Sequence, residues 1–239
     1  MKTPDALLLD FDQTLYSSHL PTLKAVDDRI NLYIHQFLGL QWDASDALRT
    51  RAYKEFGTTL EGLRQWYGIS PDHFFDFIQD VPIEYLPLPH PGLRKWLATQ
   101  TLPLFVFTNA RRDWVERCME HMGLAQELSL FFDIIDITKT AFQGKPQVES
   151  YQVAQKIVGQ ALHLENPQLC LIDDHEPNIQ MAHKLGWYTV WIDKHKQDKE
   201  SLNQISIDHL SPISTSGQTL YSSSCEELCR WVPHWNTVD

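Results

Sequence analysis

Five short runs of consecutive apolar residues recur along the chain and predict strands buried on both faces of a parallel sheet. They cover residues 6–10, 104–108, 133–137, 169–173 and 188–192. Apolar residues at helical spacing follow the second, third and fourth runs, as in Val115, Cys118, Met119 and Met122. Because strands and helices alternate, we predict a doubly wound, Rossmann-like α/β sheet.

The interval between the first two predicted strands is too long for a simple crossover. Residues 11–103 separate them, whereas a crossover needs only about a dozen residues. Helical patterns fill the interval, at roughly 20–38, 43–56, 59–68 and 71–80. Prolines between 82 and 91 mark the return to the sheet. We therefore expect an inserted helical domain at 17–89 and a discontinuous α/β core domain at 1–16 and 90–239.

The chain after the fifth predicted strand is less regular. Residues 194–218 are polar with little periodicity, which predicts a long surface loop. Residues 220–222 are predicted as a last edge strand, and residues 225–231 as a final helix.

Charge and hydropathy exclude several classes of partner. The chain has 31 acidic and 20 basic residues, and its formal net charge of −11 disfavours nucleic acid polymers and anionic membranes. No apolar run is long enough to span a bilayer, and the first residues lack the pattern of a secretory signal. We expect a cytoplasmic protein that acts on a small molecule; the sequence predicts no particular oligomeric state.

Polar residues collect at or just after the carboxyl ends of four predicted strands. They are Asp10 and Asp12, Thr108 and Asn109, Lys145, and Asp173 and Asp174. Each cluster alone also fits a turn, a helix cap or a solvated loop. Ligands bind at the carboxyl ends of strands in open α/β sheets, so the four clusters together predict one common site.

The residue types in these clusters suit phosphoryl transfer. Converging carboxylates repel one another unless a cation compensates them, and carboxylate and carbonyl oxygens suit Mg²⁺. Phosphoryl transfer depends on positioning and on neutralising charge. A carboxylate nucleophile, a second carboxylate that moves protons, a hydroxyl and a lysine meet those needs.

The same segments resemble the four motifs of the haloacid dehalogenase-like hydrolases. Residues 8–16, LLDFDQTLY, are similar to the first motif, DxDxT behind a hydrophobic strand. Residues 107–110 resemble the second motif, 144–146 the third and 171–174 the fourth. The order and the spacing match, and the predicted helical insertion lies where this family carries its type 1 cap. The resemblance implies a hydrolase that forms a covalent intermediate on an aspartate.

The resemblance also implies a role for each matching position. Asp10 would be the nucleophile that attacks phosphorus. Asp12 would protonate the leaving group and then deprotonate the attacking water. Thr108 and the backbone of Asn109 would hold phosphoryl oxygens, and Lys145 would offset negative charge on the nucleophile and the phosphate.

Mg²⁺ is the implied cofactor. Asp10, the carbonyl of Asp12 and Asp174 would bind it, and Asp173 would orient the waters of the metal. The sequence departs from many relatives at Asn178, where they carry a second aspartate. Asp173, directly before the implied metal ligand Asp174, can supply the missing negative charge, so the predicted activity is unchanged.

A narrower resemblance indicates the pyrimidine 5′-nucleotidase-like branch of this family. It rests on residues 14–16, 53–63, 173–178 and 228–235. It implies that the substrates are small phosphoesters such as pyrimidine nucleoside 5′-monophosphates. Other phosphatases of the branch have poorly defined substrates.

Three alternatives stay open. A haloacid dehalogenase uses the aspartate nucleophile without a metal, and Asp12 with the acidic pair at 173–174 argues against it. A response-regulator receiver also uses an acceptor aspartate, a threonine and a lysine with Mg²⁺. Its acidic pair, however, lies after the first strand, and it has no large cap. A non-catalytic binding protein is the third alternative, although every motif residue is present.

Other residues are secondary candidates. Six tryptophans in periodic segments are expected in the core: Trp42, Trp66, Trp96, Trp114, Trp187 and Trp191. Tyr16, Thr58 and Thr59 are candidate substrate contacts. Arg111 and Arg112 could reach a substrate phosphate or base, but we interpret them as a solvated helix start.

Overall fold

Six parallel strands form a single sheet in the computed structural model, which describes residues 3–16, 20–89, 91–192 and 219–222. The strands are β1 Ala6–Leu9, β2 Leu104–Phe107, β3 Phe131–Ile135, β4 Leu169–Asp173, β5 Tyr188–Ile192 and β6 Thr219–Ser222. Their order in the sheet is β3-β2-β1-β4-β5-β6. This is the strand order of a doubly wound Rossmann-like fold, as the sequence predicted.

Helices cover both faces of the sheet. Successive side chains of a strand point to opposite faces, so the apolar side chains of β1 need a helix layer on each face. The flanking helices are α5 Pro91–Thr99, α6 Arg112–His121, α7 Val148–Leu162 and α8 Glu176–Lys184. Leu7 and Leu9 pack in one buried cluster with residues of α5 and α6, whereas Ala6 and Leu8 pack in another with residues of α7 and α8. Strand β1 is therefore buried on both faces, which explains its unbroken apolar sequence.

Four helices lie between β1 and β2, and we call them the cap. They are α1 Thr22–Leu38, α2 Trp42–Phe56, α3 Thr59–Tyr67 and α4 Pro71–Ile78. They have their own apolar core, which also takes in Ile137 from the segment after β3. The predicted helical insertion is thus confirmed. The boundaries 1–16, 17–89 and 90–239 stay a prediction, since residues 17–19 and 90 lie outside the described part.

The structure differs from the predicted elements at two places. Strand β3 ends at Ile135 instead of 137, because the Asp136 carboxylate accepts hydrogen bonds from the Thr138 hydroxyl at 2.8 Å and the Arg112 N–H at 2.9 Å. Helix α5 was missed, because Pro91 and the prolines before it were interpreted only as a connection, although proline suits a first helical position.

The end of the chain is described only in part. The predicted edge strand at 220–222 is confirmed within β6. The predicted loop at 194–218 and the predicted helix at 225–231 lie outside the described residues. Within the described residues, no helix combines the length and the apolar character that crossing a membrane requires.

Candidate active site

The predicted site residues meet at the centre of the sheet, where the strand order reverses. Strand β1 pairs with β2 on one side and with β4 on the other. Asp10 directly follows β1 and its N–H donates to the carbonyl of Ile172 in β4 at 2.9 Å. Asp173 is the last residue of β4, and Thr108 directly follows β2. This reversal point is where open α/β sheets form their binding crevice.

Lys145 is the buried cation of the site, with 1% of its surface exposed. Its ammonium donates to Asp10 Oδ1 at 2.8 Å, to Asp173 Oδ2 at 2.6 Å and to the carbonyl of Phe107 at 2.7 Å. These three bonds use all its donors. Burial opposes its charge, but the two carboxylates outweigh burial and raise the pKa of Lys145.

Asp10 and Asp173 are both buried, and different groups hold them. Asp10 Oδ2 accepts from the Thr14 hydroxyl at 3.0 Å. Burial raises the pKa of Asp10 to about 7, although Lys145 acts in the opposite direction. Asp173 accepts from the N–H of His175 at 2.8 Å and from the amide of Asn178 at 3.0 Å. Asn178 thus supplies a hydrogen-bond donor to Asp173, at the position where the family resemblance led us to expect another acid.

Three carboxylates could hold a metal ion together. One oxygen each from Asp10, Asp173 and Asp174 lie within 4.8 Å of one another. Hard oxygen donors at this density suit Mg²⁺. Since Lys145, His175 and Asn178 already bind the Asp173 carboxylate, the set fits a cation held mainly by Asp10 and Asp174.

Asp12 is held by two donors that sequence reasoning did not connect with it. The Tyr16 hydroxyl and the Trp114 indole N–H, at 3.0 Å, both donate to Asp12 Oδ1. Burial raises the pKa of Asp12, and the two donors partly offset this effect. Tyr16 was predicted as a substrate contact and Trp114 as a core residue. Only the hydroxyl four positions after Asp12 could have been suspected from the sequence.

Thr108 and Asn109 follow β2, and Asn109 contacts the loop that carries Lys145. Thr108 is buried, and its hydroxyl oxygen accepts from the N–H of Ala110 at 3.1 Å. The Asn109 amide donates to the carbonyl of Lys145 at 2.9 Å and accepts from the N–H of Lys145 at 2.7 Å. The sequence predicted a backbone role for Asn109. The structure adds that its side chain fixes the backbone of Lys145.

The cap touches the site through the turn between α2 and α3. A methyl group on Gly57 would lie 2.8 Å from the ring of Pro146, and one on Gly144 would lie 2.8 Å from the Thr58 methyl group. The hydroxyl of Tyr53, near the end of α2, lies 3.2 Å from His175 Nε2. The turn therefore contacts residues 144–146, which we call the lysine loop. The end of α2 lies next to His175, which directly follows the acidic pair at 173–174.

The other secondary candidates serve the cap or its contact with the core. The Thr58 hydroxyl accepts from the N–H of Glu61 at 3.2 Å, and the Thr59 hydroxyl donates to a carbonyl within the cap at 3.4 Å. Arg111 forms an ion pair at 2.8 Å with Asp76 of α4, so it joins cap and core instead of standing in solvent. Trp42, expected in the core, is 45% exposed.

Comparison with known proteins agrees with this architecture. A family model described as haloacid dehalogenase-like hydrolase matches residues 4–186. The structure also resembles solved structures of low sequence identity, which show the fold alone. One is the putative HAD-hydrolase YfnB from Bacillus subtilis bound to magnesium, 16% identical, with a TM-score of 0.55 over 99% of this chain and 100% of that one.

Two further similar structures are of proteins named for different activities. The L-2-haloacid dehalogenase from Xanthobacter autotrophicus is 15% identical, with a TM-score of 0.56 over 97% of this chain and 99% of that one. A HAD phosphatase from Thermococcus onnurineus is 15% identical, with a TM-score of 0.57 over 95% of this chain and 97% of that one. The fold is therefore shared by both kinds of enzyme.

Proposed function

Because this chain belongs to the haloacid dehalogenase-like hydrolases, we propose that it is a Mg²⁺-dependent phosphomonoesterase acting through a phosphoryl-aspartate on Asp10. The observation that carries the proposal is a cluster of three carboxylates, two of which share one buried ammonium. Asp10, Asp173 and Asp174 converge within 4.8 Å, and Lys145 contacts two of them. This excess of negative charge favours a bound divalent cation.

The proposed reaction has two steps. An oxygen of Asp10 attacks phosphorus, and the bond from phosphorus to the leaving oxygen breaks as the new bond forms. Asp12 gives its proton to the departing oxygen. Water then attacks the phosphorus of the phosphoryl-aspartate, and Asp12 takes a proton from that water. Phosphate leaves, and the carboxylate of Asp10 is regenerated.

Other residues of the chain hold the phosphoryl group. The Thr108 hydroxyl and the Asn109 backbone bind phosphoryl oxygens, and Lys145 offsets charge on Asp10 and the phosphate. The metal, held by Asp10, the carbonyl of Asp12 and Asp174, would neutralise charge on the transferring group. The buried network around Lys145 supports these roles because each of its members is already fixed by hydrogen bonds.

The substrate is proposed to be a small phosphoester such as a pyrimidine nucleoside 5′-monophosphate. The cap segment 53–63, which resembles the nucleotidase branch, spans the α2–α3 turn that lies on the lysine loop. A cap that closes over a site favours small soluble substrates. A dehalogenase remains the second candidate, since its fold is the same. Asp12, held by two buried donors, favours proton transfer to an oxygen leaving group instead.

The test is product release from a panel of compounds, with and without Mg²⁺. The panel contains UMP, CMP, AMP, sugar phosphates, p-nitrophenyl phosphate and 2-chloropropionate. Wild type is compared with Asp10→Asn and with Glu165→Gln. Glu165 is an exposed acid before the amino end of β4, whereas the site lies at the carboxyl ends of the strands.

We expect Mg²⁺-dependent phosphate release that is lost in Asp10→Asn and kept in Glu165→Gln. A preference for UMP or CMP would support the nucleotidase assignment. Chloride release without a metal would replace the proposal with a dehalogenase. No release from any compound would overturn the enzyme proposal and favour a receiver-like acceptor or a binding protein.

A further inference from the structure

The side chain of Asp12 has a defined orientation, and two buried aromatic residues impose it. The Tyr16 hydroxyl and the Trp114 indole N–H both donate to Oδ1, the indole at 3.0 Å, and neither binds Oδ2. Tyr16 is 4% exposed and Trp114 is 3% exposed. The indole N–H can only donate, and while the Tyr16 hydroxyl also donates, both acceptor positions of Oδ1 are occupied, so a proton is disfavoured there. The proton of a neutral Asp12 therefore belongs on Oδ2.

Both donor residues are packed in the apolar core. Tyr16 lies four residues after Asp12, and its ring packs edge-on against Phe11 at 5.7 Å between ring centroids. Trp114 is in the first turn of α6 and belongs to the same buried cluster as Leu9 of β1. The indole thus connects a helix of the core to a carboxylate 102 residues earlier in the chain. A geometry fixed from two sides suits a group that must meet a reacting atom.

We propose that Tyr16 and Trp114 are positioning residues that hold Asp12 with Oδ2 directed at the leaving-group oxygen. This inference rests on the proposed function and names the atom that moves the proton. In the first step, the Oδ2–H bond breaks and the proton goes to the alkoxide oxygen as that oxygen separates from phosphorus. In the second step, Oδ2 takes a proton from the water that attacks the phosphoryl-aspartate, which restores the starting state.

The test compares leaving groups of different basicity. An alkyl phosphate such as UMP needs a proton on its departing oxygen, whereas p-nitrophenyl phosphate leaves as a stable phenolate. The value of kcat/KM reports only the steps up to departure of the leaving group, so it isolates the proton donation. Trp114→Phe and Tyr16→Phe each remove one donor and keep an aromatic ring.

We expect both variants to lower kcat/KM for UMP by about 10-fold or more, which is within the range of general acid catalysis. For p-nitrophenyl phosphate we expect a loss of less than about 3-fold, because that step needs no proton. The KM for UMP should change little. Asp12→Asn provides the reference, since it removes the proton donor itself and should show the same selectivity in a stronger form.

Trp96→Phe is the matched control for lost packing. Trp96 is also a buried tryptophan of this apolar cluster, and its indole nitrogen has no hydrogen-bond partner among the described residues. The variant should affect both substrates equally. Tyr16→Phe removes a single oxygen, so it keeps the inference testable if Trp114→Phe does not fold.

The possible outcomes separate this inference from the proposed function. A selective loss on UMP in Trp114→Phe or Tyr16→Phe, absent from Trp96→Phe, supports it. A selective loss in Asp12→Asn alone, or equal losses on both substrates in the donor variants, overturns the inference and leaves the phosphatase intact. If wild type releases no phosphate from either compound, both the function and the inference are overturned.

Discussion

At the scale of single residues, the ammonium of Lys145 allows two carboxylates to lie together in the protein interior. It contacts Asp10 and Asp173 at 2.8 and 2.6 Å while almost no part of it reaches solvent. Buried charges are tolerated only when they are paired and hydrogen-bonded. The same three residues are therefore coupled in stability as well as in the proposed chemistry.

Replacing this lysine should destabilise the protein strongly. Lys145→Met leaves the carboxylates of Asp10 and Asp173 facing each other without compensation, and removing one partner of a buried ion pair costs about 3–5 kcal/mol. Urea unfolding of the metal-free protein at pH 8 measures this loss. Lys156→Met, on the exposed side of α7, is the control and should change little. Equal stability of both variants would contradict the account.

The sequence predicts which residues form the site better than it predicts the hydrogen bonds that position them. Asp10, Lys145 and Asp173 could be assigned because each lies at or after the carboxyl end of a predicted strand. The indole of Trp114 could not, because its partner Asp12 is distant in the chain and its periodic position is equally typical of core packing. Asn109 was assigned through its backbone, whereas its side chain contacts depend on the tertiary position of the lysine loop.

At the scale of elements, the turn between α2 and α3 brings the cap into contact with the lysine loop. Gly57 ends α2 with a φ of 82°, and a side chain there would meet Pro146. Gly39 ends α1 with a φ of 70°, and nothing lies within 4 Å of the corresponding position. The two glycines thus share a left-handed backbone, but only one touches the core.

Substitutions of Gly57 and Gly39 distinguish the effect of backbone strain from the effect of contact between cap and core. Gly57→Ala and Gly39→Ala should each lose about 1–2 kcal/mol, because both place a β-carbon in the left-handed region. Only Gly57→Ala should also lower kcat/KM for phosphate release, since its methyl group moves the turn away from the lysine loop. Unfolding and kinetic measurements on both variants test this. The same kinetic loss in Gly39→Ala would show that the contact is irrelevant.

Most elements could be predicted because their apolar patterns match their burial. The four cap helices have the predicted periodicity, and the buried strands have continuous apolar runs. Helix α5 was missed because prolines dominate the pattern around it, although Leu93, Trp96 and Leu97 have helical spacing and are buried. Strand β3 was placed two residues late, because the side-chain bonds of Asp136 that end it depend on the tertiary fold.

At the scale of the whole molecule, the fold places an acidic site inside an already acidic protein. The net charge is −11. The carboxylates of Asp10, Asp173 and Asp174 lie together, and the ammonium of Lys145 contacts two of them. Burial raises the pKa values of both Asp10 and Asp173. A cation that stabilises their ionised forms should therefore also stabilise the fold.

The stabilisation by Mg²⁺ should increase with pH. In the metal-free protein the pKa of Asp10 is raised to about 7, whereas an unfolded aspartate titrates near ~3.9. The folded state therefore binds more protons than the unfolded state between these values, and its stability falls as pH rises through that window. Mg²⁺ competes with those protons, so its effect grows up to about pH 7 and then levels off.

Thermal unfolding with and without Mg²⁺ at pH 5 and pH 8 measures this linkage. We expect a larger increase in Tm at pH 8, loss of the increase in Asp174→Asn, and its retention in Glu165→Gln. An equal increase at both pH values, or an unchanged increase in Asp174→Asn, would show that the carboxylate cluster is not the metal site.

The most direct test of the central claim is to find the phosphoryl group on the protein. Wild type and Asp12→Asn are mixed with p-nitrophenyl phosphate and Mg²⁺, quenched in acid during turnover, and digested for mass spectrometry. We predict a phosphoryl group on Asp10, in greater amount in Asp12→Asn because hydrolysis of the intermediate is slowed. Phosphate release without a phosphoryl-enzyme, or with the group on another residue, would contradict the account.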